Sequence, residues 1–260
     1  MKRHLTTWEN YSRFSDERGQ LVAHLLKKHL SLKDARILDI GCGIGSTAAI
    51  FTKYGALVYG IDITNQLNPK NNFPFALMAG ENLGFKNSWF DAVILQDVLE
   101  HTEDPQKVLS EINRVLKNNG VFFINTPNRL SPVNFMSDPH WGMPVVSIFP
   151  RKWVKLFIRD ILRKDRRVRQ DWPALVGLFR LKALLLKHKF TMHFENKTVA
   201  KYLFQAPNAV VCSKTHLQIV ALLKSFRCDK LITKFVNNKF GCFNYFVNPT
   251  WYIICFKREV

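Results

Sequence analysis

The sequence of 260 residues lacks any long apolar run: it contains no stretch of 18 consecutive uncharged apolar residues. A helix needs about 20 such residues to cross a bilayer, so no spanning helix is expected. The first residues also lack the apolar core of a secretory signal, so no signal peptide is expected. None of the five cysteines has C-x-x-C spacing, which excludes a zinc or redox motif of that kind and fits a reducing cytoplasm.

Acidic residues are scarce as well, with 20 Asp and Glu against 38 Lys and Arg, for a formal net charge of +18. The excess is uneven: residues 1–150 carry 15 basic and 14 acidic side chains, whereas residues 151–260 carry 23 and 6. Hydrophobic residues make up 47% of the chain, which excludes a disordered protein in spite of the charge. The two parts are therefore expected to do different jobs.

The near-neutral part alternates predicted strands with predicted helices. The strands are expected at 35–40, 57–61, 75–79, 90–95 and 121–125, and the helices at 19–30, 46–54 and 104–117. Residues 117–120 are expected to form a turn before the fifth strand. Such alternation predicts an α/β protein with a parallel sheet covered on both faces, whose ligands bind beyond the carboxyl ends of the strands.

A glycine-rich loop follows the first predicted strand. Gly41, Gly43 and Gly45 let the backbone turn sharply and approach a ligand, and they aim the free N–H groups of the next helix at it. Asp62 ends the second strand, where a carboxylate can accept both hydroxyls of a ribose. The third glycine comes one residue earlier than in the dinucleotide loop G-x-G-x-x-G, which disfavours a dehydrogenase.

These motifs agree in order and spacing with one enzyme family. The residues concerned are 37–45, 60–62, 79–85, 90–94, 98–105 and 111–117. This series closely resembles class I S-adenosylmethionine-dependent methyltransferases over roughly residues 30–130. The resemblance implies a Rossmann-like, doubly wound sheet of seven strands, mostly parallel, with the sixth strand at 190–194 and an antiparallel last strand at 250–256. It implies a cofactor-binding core in residues 1–150, and a basic helical cap or insertion plus the last strands in residues 151–260.

The resemblance also implies roles for individual residues. Gly41, Gly43 and Gly45 would line the methionine part of S-adenosylmethionine, and Asp39 would help to hold its ammonium group. Asp62 would hold the ribose hydroxyls. Gly80 and Glu81 would border the adenine. Gln96, at the end of the fourth strand, would face the cofactor.

Methyl transfer to a hydroxyl needs a base that removes the acceptor's proton, while the neutral leaving group needs little acid catalysis. The candidate bases near the strand ends are Asp97, Glu100, His101, Asp138 and His140. His101 and His140 are the preferred pair, because a neutral imidazole accepts a proton near neutral pH. Two other interpretations remain: Glu100 and His101 could cap or orient the next helix, and His140 could belong to a packed surface loop.

The acceptor is indicated only by a narrower resemblance. Residues 126–132 and 138–142 are similar to a bacterial subset of these methyltransferases that is connected with surface-glycan or lipid-linked saccharide synthesis. Quinone-biosynthesis O-methyltransferases share the same core motifs and compete with that reading. The expected reaction is O-methylation of a small, saccharide or lipid-linked acceptor.

The basic part contains a predicted amphipathic helix at 151–169, with nine basic residues. Its apolar stripe is formed at helical spacing by Trp153, Phe157 and Ile161, with Val154 and Ile158 as further candidates. Residues 151–189 are therefore expected to lie on an anionic membrane, which places a cytoplasmic enzyme at the inner face of the membrane. The alternative is an apolar stripe that packs on the sheet. Charge alone would also suit nucleic acid, so an RNA methyltransferase and a non-catalytic membrane- or partner-binding protein remain the competing functions.

Overall fold

Seven strands form a single sheet in the computed structural model, which describes residues 14–161, 172–211 and 214–258. The strands are β1 (Arg36–Ile40), β2 (Leu57–Asp62), β3 (Phe75–Leu77), β4 (Phe90–Gln96), β5 (Leu116–Pro127), β6 (Phe190–Phe194) and β7 (Thr250–Lys257). Their order in the sheet is β3-β2-β1-β4-β5-β7-β6. The first five strands pair in parallel, and β7 runs antiparallel to both of its neighbours, β5 and β6. The predicted fold class is confirmed.

Helices cover both faces of this sheet. They are α1 (Ser15–Leu26), α2 (Ser46–Lys53), α3 (Pro105–Val115), α4 (Pro132–Met136), α5 (Arg151–Lys155), α6 (Leu178–Lys187), α7 (Asn196–Gln205), α8 (Lys214–Ser225) and α9 (Cys228–Phe235). One core layer packs α3 and α6 against the sheet, and the other packs α1, α2 and α7 against its opposite face. Adjacent strand residues alternate between the layers: Ile37 joins the second and Leu38 the first. Both are fully buried, which explains why the strands read as continuous apolar runs.

The largest boundary differences from the sequence prediction are at α1 and at the start of β5, and the third predicted strand, 75–79, ends two residues early at Leu77. Helix α1 begins at Ser15 and ends at Leu26, four residues earlier at each end than the predicted 19–30. The predicted turn at 117–120 lies within the bounds of β5. Leu116 pairs with Phe90 and pairing resumes only between Val121 and Ala92, so residues 117–120 form an irregularity in the strand and not a separate turn.

In the predicted amphipathic helix of the basic part, some apolar side chains are buried in the protein and others are exposed to solvent. Helix α5 continues into a π-helical turn, Leu156–Ile161, and the rest of the predicted helix lies outside the described residues. Val154 and Ile158 are buried in a small core with Val146, whereas Trp153 is 61% exposed. Val154 and Ile158 of the predicted apolar stripe therefore pack on the protein itself, and Phe157 packs against the same small core. No helix among the described residues is both long and apolar enough to cross a bilayer.

Residues 195–249 form an insertion between β6 and β7, and Asn244 connects its parts. This side chain is fully buried. Its Nδ2 donates to the carbonyl oxygens of Asn237 (2.9 Å) and Lys239 (2.8 Å), and its Oδ1 accepts from Asn196 (2.8 Å). The carbonyl oxygen of Asn244 accepts the indole N–H of Trp251 in β7 at 2.8 Å. Asn244 thus links α7, the insertion and the last strand.

Replacing Asn244 with alanine removes these side-chain bonds and leaves their buried partners unsatisfied. We expect Asn244→Ala to lower the free energy of unfolding by about 3 kcal/mol, measured by urea denaturation. Asn118→Ala, at an exposed position of the β5 irregularity, is the control and should change it by less than about 0.5 kcal/mol. Equal stability of the two variants would contradict the linking role of Asn244.

Candidate active site

The glycine loop between β1 and α2 lies against the end of β2. The backbone N–H groups of Gly41 and Cys42 both donate to the carbonyl oxygen of Ile61, at 2.8 and 3.0 Å. Gly41, Gly43 and Gly45 all have φ between 54° and 81°, a left-handed conformation that favours glycine. A Cβ on Gly41 would collide with Val98, whereas one on Gly43 would meet no atom within 4 Å. The loop is thus tight at its base and open at Gly43.

Asp62, at the end of β2, holds this loop in place. Its Oδ2 accepts the backbone N–H of Gly43 at 2.9 Å. Its Oδ1 accepts both the backbone N–H and the hydroxyl of Thr64, at 2.9 and 3.0 Å. A carboxylate offers about four lone-pair positions, so one is left to accept from a ligand. The next residue, Ile63, is 66% exposed and presents apolar surface beside the carboxylate.

The segment after β2 folds back over the start of α2. The side-chain amide of Asn71 donates to the carbonyl oxygen of Ile44 at 2.7 Å. A Cβ on Gly45 would come within 2.6 Å of Leu67 Cδ1 and 2.8 Å of Phe73 Cζ. A side chain on Gly45 would have to displace the ends of these two side chains, and the positive φ of Gly45 disfavours any residue but glycine.

Asp39 lies beneath the loop and is almost completely buried. Burial raises the pKa of Asp39 to about 7, the nearby Asp62 carboxylate acts in the same direction, and a hydrogen bond from the backbone of Ala48 opposes them. Its Oδ2 has no hydrogen-bond partner among the described residues. A buried carboxylate oxygen in this state is suited to receive a cationic or water ligand.

The remaining predicted cofactor residues surround the same strand ends. Gln96, at the end of β4, accepts the Thr47 hydroxyl at 2.9 Å and so faces the glycine-loop helix. Gly80 is buried, and a Cβ there would come within 3.2 Å of Ile40 Cγ2. Glu81 accepts the backbone N–H of Glu103 at 3.1 Å, and thereby ties its own segment to the start of α3.

The sequence pattern did not identify Arg18 as a site residue. This nearly buried side chain of α1 forms an ion pair with Asp97, which follows β4 and has a left-handed φ of 54°. Asp97 also accepts the side-chain amide of Asn125, from the end of β5, at 2.6 Å. No motif marks Arg18, because it lies in an ordinary amphipathic helix and its partner is 79 residues away.

His101 and His140, the two preferred bases, are brought together although they are far apart in the sequence. Their ring centroids are 4.8 Å apart in an edge-to-face arrangement. His140 Nε2 lies 3.9 Å from Oε1 of Glu100, whose side chain is fully buried. The other oxygen of Glu100 accepts the Thr126 hydroxyl at 2.9 Å. Burial raises the pKa of Glu100 above its usual range, while His101 lowers it.

The cluster of Glu100, His101 and His140 is enclosed by later parts of the chain. Asp138 Oδ1 accepts the backbone N–H of His140 at 2.9 Å and lies 3.8 Å from its Nδ1. Arg151, the first residue of α5, donates to the carbonyl oxygens of Glu100 and Thr102 at 3.1 and 2.7 Å. One cation of the basic part therefore serves the site directly.

Both alternative interpretations of the histidines can be compared with these contacts. The residue that caps α3 is Asp104, whose side chain accepts the backbone N–H groups of Gln106 and Lys107. Helix capping therefore does not account for Glu100 and His101. The His140 side chain is only 11% exposed, so it belongs to the interior of the cluster more than to the surface.

The same three side chains could also hold a metal ion. Glu100, His101 and His140 each offer one ligand atom, and these atoms lie within 4.8 Å of one another. A carboxylate and two imidazoles are common ligands of divalent transition metals. The sequence indicated no metal site, because these ligands come from two separate segments.

Comparison with known proteins agrees with this geometry. Residues 38–124 match a family described as "Methyltransferase domain". A ubiquinone biosynthesis O-methyltransferase of Coxiella burnetii is 28% identical over 113 residues, which are 40% of this chain and 48% of that protein. The chain thus spans about half the length of this curated relative.

Two solved structures share the fold over nearly the whole chain. An S-adenosylmethionine dependent methyltransferase from Mesorhizobium loti has a TM-score of 0.54 at 15% identity, covering 90% of this chain and 96% of its own. Phosphoethanolamine N-methyltransferase 2 of Haemonchus contortus, solved with phosphomonomethylethanolamine and S-adenosylhomocysteine, has a TM-score of 0.52 at 17% identity, covering 92% and 52%. Residues 38–124 thus resemble the methyltransferase family, and the sheet as a whole has the fold of these S-adenosylmethionine-dependent methyltransferases.

Proposed function

We propose that this protein transfers the methyl group of S-adenosylmethionine to an oxygen of a small acceptor that has apolar and anionic parts, such as a lipid-linked saccharide. The observation that carries the proposal is the convergence of Glu100, His101 and His140 beyond the carboxyl end of β4, next to the strand that carries the glycine loop. Residues 1–150 would bind the cofactor. Residues 151–260 would complete the sheet and enclose the acceptor.

The residues at the glycine loop fit S-adenosylmethionine. The free oxygen of Asp39 suits the ammonium group, and the open backbone at Gly43 lets the methionine part approach. The remaining lone pair of Asp62 suits a ribose hydroxyl, and exposed Ile63 beside it suits an apolar purine ring. Gly41, Gly45, Gly80, Glu81 and Gln96 would shape the walls of this site.

When bound, S-adenosylmethionine supplies a methyl carbon activated by a sulfonium, so the residues of this chain need only align the acceptor, exclude water and take up a proton. We assign proton uptake from the acceptor hydroxyl to His101. His140 lies edge-on to its ring, and the buried Glu100 carboxylate would stabilise positive charge on the imidazole pair. A base in such a position contributes about 100-fold or more to the rate.

The surroundings of the cluster support an amphipathic, anionic acceptor. The chain that passes from β5 through the His140 loop exposes the apolar side chains of Leu130, Val133, Phe135, Met136 and Val145. Burial lowers the pKa of Arg129, and the positive charge of Arg180 lowers it further. Two cations that influence each other in this way, together with exposed apolar groups, would attract an acceptor that carries a phosphate or carboxylate.

Oxygen is the favoured acceptor atom for two reasons. An imidazole can serve as the base that a hydroxyl acceptor needs, and the Coxiella burnetii relative is by name an O-methyltransferase, although its similarity is confined to about half of that protein. An acceptor with a lipid part would place the enzyme on the cytoplasmic face of a membrane.

Cofactor affinity should depend on pH through Asp39, whose pKa is about 7 in the free protein. The ionised carboxylate attracts the ammonium group, so affinity should rise as the pH increases to about 7 and level off above it. Calorimetric titration with S-adenosylhomocysteine between about pH 6 and pH 8 measures this rise. Asp39→Asn should bind about tenfold more weakly with a flatter pH profile; identical profiles would exclude this role for Asp39.

His101→Ala should lower kcat about 100-fold while changing the dissociation constant for S-adenosylmethionine less than about twofold, because the proposed role places His101 against the acceptor and not the cofactor. His193→Ala, at an exposed position of β6, is the control and should leave both constants unchanged. EDTA should also leave the rate unchanged. Loss of activity with EDTA, restored by Zn²⁺ or Mg²⁺, would instead assign the cluster to a metal ion.

The acceptor class can be tested with S-adenosylmethionine that carries a tritiated methyl group. Incubation with fractionated bacterial extract should label lipid or glycan, and alkali-stable label is expected for an ether oxygen. Label in the RNA fraction would favour an RNA methyltransferase. Cofactor binding without label in any fraction would favour a non-catalytic binding protein, and both results would contradict the proposal.

A further inference from the structure

Helices α8 and α9 expose large apolar side chains that no other part of the described structure covers. Phe226 and Phe235 are 72% and 73% exposed, and Leu222 and Leu231 are 57% and 59% exposed. Ile219 lies on the same face of α8 as Leu222, and Phe226, the residue after the helix, continues the i, i+3 and i+7 spacing. We call residues 214–235 the helical hairpin. Single exposed apolar residues are ordinary, but five in one short hairpin mark an interaction surface.

The hairpin is attached to the protein by few buried residues. Val220 of α8 is 7% exposed and lies inside, whereas α9 contains no buried residue. The two helices are joined at Phe226 and Arg227, and Arg227 has a left-handed φ of 56°. Phe226 therefore lies at the tip of the hairpin and Phe235 at the far end of α9.

Positive charge alternates with these apolar groups. On α9, the exposed residues Lys230 and Lys234 are four residues apart, and each is followed directly by an exposed apolar residue, Leu231 or Phe235. Arg227, at the tip, is exposed as well. The sequence of the hairpin contains one acidic residue, Asp229. Such a surface is complementary to one that is apolar inside and negatively charged outside.

Three kinds of partner would meet this surface differently. A nucleic acid would satisfy the cations but would leave Ile219, Leu222 and Leu231 without apolar contacts. A second copy docked on the same face would bring the cations of both copies together and repel. An anionic bilayer satisfies both sets, since lysine stems lie along the headgroups while Phe and Leu side chains enter the boundary with the acyl chains.

We propose that the helical hairpin, residues 214–235, docks this protein on an anionic lipid bilayer. This surface differs from residues 151–189, which the sequence predicted for the same purpose. In that segment Val154, Ile158, Leu181 and Leu185 are buried against the protein, which leaves Trp153, Leu156 and Phe179 as its exposed large apolar groups among the described residues. The inference goes beyond the proposed function, because docking can be measured without methyl transfer.

Sedimentation of the full chain with vesicles tests the inference directly. Binding is expected to phosphatidylcholine vesicles that contain phosphatidylglycerol, to be at least tenfold weaker without it, and to weaken with added salt. The double variant Phe226→Ser, Phe235→Ser should bind the anionic vesicles about tenfold or more weakly, since two inserted rings are lost. Lys230→Glu with Lys234→Glu should weaken binding by a similar factor.

Leu57→Ser is the matched control, because Leu57 is 51% exposed at the start of β2 and should not affect vesicle binding. Both hairpin variants should keep the thermal unfolding midpoint and the S-adenosylhomocysteine affinity of the wild type, which shows that they fold. Wild-type vesicle binding by the double Phe variant would overturn the proposal. Three other results would also overturn it. These are loss of vesicle binding in the Trp153→Ser variant alone, a preference for RNA over anionic vesicles, and a wild-type dimer that becomes a monomer only in the hairpin variants.

Discussion

The hydrogen bond from the backbone of Gly43 to the carboxylate of Asp62 is the interaction on which the site depends most. It joins the loop after β1 to the end of β2, and the two bonds to the Ile61 carbonyl oxygen strengthen the same connection. The connection fixes where α2 begins, and α2 carries Thr47, which in turn orients Gln96. It also keeps the loop above Asp39, so that a carboxylate is buried beneath an open stretch of backbone. One side chain thus serves both as a support and as a candidate ligand.

The sheet and the glycine loop could be predicted because their signals are local. Apolar runs of five or six residues with a glycine-rich turn between them identify strands β1, β2 and β4, and Asp62 follows from its position at a strand end. The larger boundary errors have local causes too. Helix α1 starts earlier because Ser15 and Arg18 pack inward, and residues 117–120 stay extended as an irregularity instead of turning. Neither effect is visible in hydrophobic periodicity.

The rest of the candidate site depends on contacts between distant segments. His101 and His140 could be proposed one by one from their strand-end positions, but nothing in the sequence predicts that their rings meet beside Glu100. Arg18 and Arg151 were not identified at all, because an arginine that binds a carboxylate or a carbonyl oxygen resembles any solvated arginine in sequence. The same applies to the basic part of the chain. Charge count alone does not separate Arg151, which supports the site, from Lys230 and Lys234, which face outward.

The position of β7 has a consequence for how the chain folds. This strand lies between β5 and β6, yet it follows β6 only after the long insertion of residues 195–249. During synthesis β6 therefore has no partner strand until β7 has emerged, since its other side is the edge of the sheet. Until the insertion has been made and β7 follows it, the hydrogen-bonding groups of β6 stay unpaired. Such a long-range pairing slows folding, and an unpaired strand favours incorrect pairing between chains. The buried hydrogen bond from the Trp251 indole to the Asn244 carbonyl oxygen joins the insertion to β7, so the insertion helps to position the last strand of the sheet.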